Sequence, residues 1–192
     1  NLLELVKKAS EIISNPKFIS LTNQRETFTL FNKKDGKPIH NAVVWQCTRG
    51  QKICEDILND RSKNKEIIDK TGLKPNTFFS GSKLKWVYEN KSEVKSKIDN
   101  GDILFGTIET YLIYRLTNLN SYVTDTTNAS RTLLFNCLEN SWDQNLLNIF
   151  DGNNLKLPKI LNSSNIFGES NFNKAFEKSI PIIGVAGDAQ AS

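Results

Sequence analysis

The stretch FFSGSKLKWVYEN, Phe78 to Asn90, decides the fold: small residues lead into a run in which Leu84, Val87 and Tyr88 share one side of a helix. Ser80 or Ser82 is placed to cap that helix, and the pattern predicts helix over 82–98 in one or two pieces. Upstream, Leu2, Leu5, Val6, Ala9, Ile12 and Ile13 recur at helical spacing until Asn15-Pro16. Three strands are expected next, at Phe18–Thr22, Thr27–Phe31 and Ala42–Trp45. A turn through Lys33–Pro38 makes the last two a hairpin. Further helices are expected near 50–58, 64–70, 107–116 and 142–150, with short strands at Tyr122–Thr124 and Thr132–Phe135. The apolar run Ile180–Ala186 reads as a buried strand, and Gly187–Ser192 as the first turn of a helix. Strands and helices mixed in this order argue for an α/β layered domain.

Composition narrows the function classes. At 192 residues and 38% hydrophobic content the chain can bury a real core. Its 25 basic and 21 acidic residues are scattered, and no basic stripe is interleaved with aromatics, so nucleic acid is not an expected partner. No apolar run approaches the roughly 18 residues of a membrane span. Three cysteines, Cys47, Cys54 and Cys137, form no CxxC pair, and a single His40 argues against a histidine-rich metal site. They read as reduced thiols of a cytoplasmic protein. On a helix, Cys47 and Cys54 would share a face two turns apart, too far for a disulfide.

Two short motifs carry candidate chemistry. In TNQRET, Thr22 to Thr27, a strand ends in an adjacent cation and anion. Neighbouring strand residues face opposite sides, so Arg25 and Glu26 can meet one ligand only if the chain turns there; spacing alone also fits a surface ion pair. Trp45 reads equally as a core aromatic or as an indole face covering a ligand. In GVAGDAQAS, Asp188 stands where a helix begins, a capping position that does not preclude a catalytic role.

These segments resemble the FGGY family of carbohydrate kinases, and within it the glycerol kinases. Ser80, Lys83, Leu84, Trp86, Val87, Glu89 and Asn90 fit a family signature, and NQRET, NAVVWQCTRG, GDILFGTIETYLIYRLT and VTDTTNASRTLLFN extend the likeness. The resemblance implies an actin-like ATPase lobe of the ribonuclease H-like type, with a mixed sheet and flanking helices. Residues 1–192 would form most of the N-terminal, substrate-side domain, lacking its opening phosphate-loop strands and the C-terminal nucleotide lobe. The implied reaction is ATP-dependent phosphorylation of glycerol with Mg2+. Arg25 and Glu26 would bind the hydroxyls, Trp45 would pack on the carbon chain, Phe78 would touch the substrate, and Asp188 would be the general base, touching the metal through water. Phe78 replaces a Tyr of bacterial relatives and Ala189 a Gln, each removing a polar contact. The segment NFNKAFEKS, Asn171 to Ser179, lacks the Gly-rich loop that binds a sugar bisphosphate in bacterial relatives, so no such feedback is expected. A homodimer or homotetramer is implied for the full-length protein, and the isolated chain is expected to be inactive. The alternatives are a kinase for another polyol or sugar, such as a pentulose or gluconate, and a non-catalytic polyol-binding module.

Overall fold

Two strands far apart in sequence lie side by side in the computed structural model, which describes residues 2–13 and 16–192. In chain order the elements begin α1 (Leu2–Ser10), β1 (Ile19–Asn23), β2 (Phe28–Asn32), α2 (Gln51–Asn59), α3 (Arg61–Thr71), α4 (Ser80–Asn90) and α5 (Ser92–Asp99). They continue β3 (Ile103–Thr107), α6 (Ile108–Leu116), β4 (Val123–Asp125), α7 (Thr126–Ala129), β5 (Phe135–Asn136) and β6 (Ser141–Trp142). The chain closes with α8 (Gln144–Ile149), β7 (Lys159–Leu161), β8 (Ser164–Ser170), β9 (Ile180–Gly187) and α9 (Asp188–Ala191). β9 is the centre of a mixed sheet ordered β1-β9-β8, parallel to β1 and antiparallel to β8. The parallel register runs from Leu21 opposite Val185 to Asn23 opposite Gly187, so both strands end at one edge, from which Arg25, Glu26 and Asp188 follow. Among the described residues, no helix is long and apolar enough to cross a membrane.

The main core joins β2 and β3 to the α2–α5 layer through Phe28, Leu30, Ile67, Phe79, Leu84, Val87, Ile103, Phe105 and Phe150. Leu84 and Val87 are both buried, as the helical spacing in Phe78–Asn90 requires. Gly81 lets that helix approach closely: a Cβ there would stand 3.0 Å from the Phe150 ring and 3.1 Å from the Thr132 carbonyl.

Several boundaries depart from the expected ones, each for a local physical reason. The predicted hairpin between Thr27–Phe31 and Ala42–Trp45 is reduced to single bridges, Phe28 to Val43 and Phe31 to Pro38. β2 instead pairs along its whole length with β3, whose residues Ile103–Thr107 are all buried and whose Phe105 ring meets Phe28 at 5.3 Å. Thr132–Phe135 is not a strand: Thr132 Oγ1 accepts from the Leu134 amide, Leu133 has φ 64°, and pairing is confined to Phe135 and Asn136. Phe79 rather than Ser80 or Ser82 is the N-cap of α4, and it makes no side-chain cap bond. α3 starts at Arg61, earlier than predicted, because Asp60 accepts from the Ser62 and Lys63 amides. α8 starts at Gln144 because the Asp143 carboxylate caps it. α1 ends at Ser10, before Ile13, and Asn15 of the predicted Asn15-Pro16 stop lies outside the described residues. Cys47 precedes α2 while Cys54 lies within it, so the two share no helix face; all three thiols are free.

Candidate active site

The site is built where β1 and β9 end. After Asn23 the chain turns sharply, and Glu26 takes a left-handed conformation with φ 62°. That conformation is costly for a residue with a Cβ. It points consecutive side chains away from strand alternation. Arg25 reaches toward β9 and Glu26 becomes buried, 3% exposed.

Arg25 donates its Nε to Asp188 Oδ1 at 3.1 Å and Nη1 to Gln190 Oε1 at 3.3 Å. Asp188 opens α9 as an exposed side chain, its Oδ1 also accepting from the Ala189 amide at 2.9 Å. The preceding loop is fixed by a chain of bonds. Gly187 donates its amide to Thr127 Oγ1 at 2.8 Å, and Thr127 donates its hydroxyl to Asp125 Oδ2 at 2.6 Å. Ser163 donates to the same carboxylate oxygen at 2.7 Å.

Glu26 accepts from Arg131 Nε at 2.7 Å, an ion pair with the carboxylate almost fully buried. The Arg131 guanidinium stacks 4.8 Å above the Phe79 ring. Ser80 donates its hydroxyl to the Glu26 carbonyl at 2.9 Å, tying the turn to the start of α4. Trp45 and Phe78 stand with ring centroids 4.9 Å apart, both partly exposed, and Phe78 meets Phe79 edge-on at 5.9 Å. Side-chain contacts thus run from Glu26 through Arg131 and Phe79 to Phe78 and Trp45, while the neighbouring Arg25 joins Asp188.

Beneath this face lies a buried polar layer. Glu109, fully buried at the start of α6, accepts from Asn23 Nδ2 at 3.0 Å, Thr110 Oγ1 at 3.1 Å and Thr124 Oγ1 at 2.7 Å. Burial pushes its carboxyl above the usual range, against the pull of the threonine hydroxyls and with the Asp125 charge adding to the rise. Asn23 and Asn128 exchange side-chain bonds, holding β1 to α7. A concavity of about 440 Å3 between α1 and Phe172–Ala175 contains none of the candidate residues, nor does a larger one of about 540 Å3 between β1, β9 and Ser163–Ser164.

Of the five sequence candidates, Arg25 pairs with Asp188, Trp45 stands against Phe78, and the buried Glu26 pairs with Arg131. Two further residues were visible in the sequence only as part of motifs. Arg131, within the VTDTTNASRTLLFN segment, is the partner of Glu26. Lys83, a signature position, is fully buried and holds backbone carbonyls behind Trp45 and Phe78. A charged residue on the buried side of a helix was the signal for Lys83; nothing local marked Arg131.

A magnesium ion takes oxygen ligands, usually one or two carboxylates together with substrate phosphates and water. Among the described residues no three potential ligands gather as a metal site, and Asp188 is the single exposed carboxylate on this face with an oxygen, Oδ2, outside the Arg25 contact. The donor set fits a water-mediated contact and not a protein cage.

Comparison with known proteins agrees with this architecture. Glycerol kinase 2 of Pseudomonas aeruginosa is 42% identical over 191 residues, covering all of this chain and 38% of that protein. The crystal structure of Plasmodium falciparum glycerol kinase with ADP superposes with a TM-score of 0.92 at 36% identity, over 100% of this chain and 39% of that one. Gluconate kinase from Lactobacillus acidophilus superposes at 0.86 with 27% identity, over 98% of this chain and 38% of its own. The chain thus spans about two fifths of the length of these relatives, and its fold is the actin-like α/β lobe that they share. The model of the FGGY family of carbohydrate kinases, N-terminal domain, matches residues 2–192, and the chain belongs to that family.

Proposed function

We propose that the whole protein transfers the γ-phosphoryl group of ATP to glycerol, giving glycerol 3-phosphate, and that this chain supplies the glycerol pocket and the catalytic base. The observation that carries the reading is the Arg25–Asp188 pair beside the turn that buries Glu26 against Arg131, with Arg131 stacked on Phe79 next to the Phe78–Trp45 pair. Likeness to proteins named glycerol kinase supports the choice of polyol. Arg25 donates to a hydroxyl oxygen, Glu26 accepts from a hydroxyl, and the Trp45 and Phe78 faces cover the CH groups while keeping water away. Asp188 accepts the proton of the reacting hydroxyl as its oxygen bonds to the γ-phosphorus and the bond to the bridging oxygen breaks, releasing ADP. A magnesium ion brought with the nucleotide would supply positive charge against the phosphates, and Asp188 is the residue that would hold it, through water. We place this chemistry in the cytoplasm, in a homo-oligomer.

The test is glycerol-dependent ADP formation by the full-length protein beside Asp188→Ala, with xylulose, ribulose and gluconate in parallel. Turnover is expected with glycerol and is expected to fall by about 10²–10⁴ in the variant, the usual worth of a general base. A preference for gluconate or a ketopentose would reassign the substrate. No turnover with any of them, in a folded protein, would leave a polyol-binding module.

A further inference from the structure

Lys83 is the most unusual residue near the site. Its side chain is fully buried on the core side of α4, where a hydrocarbon would ordinarily sit. It forms no ion pair with a carboxylate among the described residues. Its Nζ instead donates to three backbone carbonyls: Phe78 at 2.7 Å, Thr77 at 2.8 Å and Trp45 at 3.4 Å. An ammonium carries three donors, so the set is complete. Burying a charge in this way costs several kcal/mol before its bonds are counted. A cost of that size at a position where leucine would pack implies that the bonds themselves are needed.

The carbonyls belong to two separate segments. One precedes α4 and carries Phe78; the other follows Val43 and carries Trp45. Their rings face each other at 4.9 Å. The Trp45 amide is held on the other side by Thr27 Oγ1 at 3.2 Å. We infer that Lys83 is a positioning residue for the polyol: its ammonium clamps the two backbone segments and so sets the aromatic pair against which the substrate carbon chain lies. The inference deepens the glycerol reading and rests on it.

The clamp has a built-in pH limit. Burial pulls the ammonium down to about 8, only partly opposed by the nearby Cys47, Glu26 and Cys54. A neutral amine keeps two N–H donors, and the longest bond, to Trp45, is the one released. The titratable and charged groups facing Lys83 are Glu26 from the turn after β1, Cys47 before α2 and Cys54 within it. Arg49 acts through Cys47, donating Nε to the sulfur at 3.0 Å. Burial pushes the Cys47 thiol up, but the Arg49 bonds and charge, with the Lys83 charge, outweigh it and hold the thiol below its ordinary value. Loss of the clamp is not loss of the fold. Between about 8 and the ordinary lysine value of 10.5 the unfolded chain binds more protons at this site than the folded one. The contribution of Lys83 to stability therefore rises with pH in that window.

The experiment is steady-state kinetics of the full-length protein across the alkaline range, with Cys47→Ser, Lys83→Arg and Lys83→Met alongside and thermal unfolding at each pH. In the wild type, KM for glycerol is expected to rise about tenfold, the equivalent of one charge-assisted hydrogen bond, with kcat and KM for ATP nearly flat. Cys47→Ser should keep the rise. Lys83→Met should show a raised, pH-independent KM, and Lys83→Arg should shift the rise beyond the measured range. A flat wild-type KM in an active enzyme overturns the clamp alone, whether or not Lys83→Met folds, as does a rise that disappears in Cys47→Ser. If another polyol is the substrate, its KM is read in the same way; absence of turnover with any polyol overturns both readings.

Discussion

Arg25 lies across Gly187 to reach Asp188. The Nε to Oδ1 distance is 3.1 Å, and a Cβ on Gly187 would fall 2.4 Å from Arg25 Cδ and 2.5 Å from Cγ. The glycine of the GD pair is therefore required by the arginine of the NQRET segment. Its φ of −63° is open to any residue, so the constraint is close approach and not backbone conformation.

Gly187→Ala should displace Arg25 without altering the strand. The expected result is a drop in kcat/KM for glycerol of about tenfold or more, in the range of a lost hydrogen bond to a charged group, with little change in Tm. Kinetics and thermal unfolding of the full-length protein check it; a variant with unchanged kinetics would show that the Arg25 position is unimportant.

Arg131→Ala leaves the Glu26 carboxylate, 3% exposed, without its ion-pair partner. Removing one member of a buried pair costs about 3 kcal/mol or more. Both Tm and glycerol affinity should fall, with KM rising by about tenfold to a hundredfold. A double-mutant cycle with Glu26→Gln should show strong coupling; additive effects would argue against the pair as the organiser of the pocket.

Phe78→Tyr adds a hydroxyl to the exposed edge of the aromatic pair without disturbing its ring contact with Trp45. One new hydrogen bond to a polyol is worth about 1 kcal/mol, so KM for glycerol should fall about fivefold. Isothermal titration or initial-rate kinetics would read it, and a higher KM would place the ring away from the substrate.

Asp143 serves stability. Its carboxylate caps α8 through the Asn145 and Leu146 amides and accepts from Lys70 at 2.9 Å and Asn136 at 3.1 Å. Burial raises its carboxyl, but the Leu146 amide, Lys70 and Asn136 outweigh that and bring it below the ordinary 3.8. A carboxylate depressed in the folded state stabilises above its unfolded value, and that stability is lost as pH falls through the lower folded value. Asp143→Ala should cost about 2 kcal/mol at neutral pH, and the difference from wild type should close under strongly acidic conditions. Thermal unfolding of both proteins across that range decides it.

Sequence alone determined several local elements, and its family resemblance named the candidate residues. Spacing in Phe78–Asn90 placed Leu84 and Val87 on the buried side of α4, and the apolar run before Gly187 marked β9, because both signals repeat within a few residues. Strand β3 escaped notice because a five-residue run buried on every side has no alternation to read. Partnership was decided only in three dimensions. Arg25 could have paired with Glu26 beside it; the left-handed turn at Glu26 sends one side chain to Asp188 and the other to Arg131. Lys83 stands in the sequence as a signature position, and only the fold supplies its partners, three carbonyls from two segments. A polar side chain has many acceptors within its reach in an unfolded chain, and only the packing of distant segments removes all but one set.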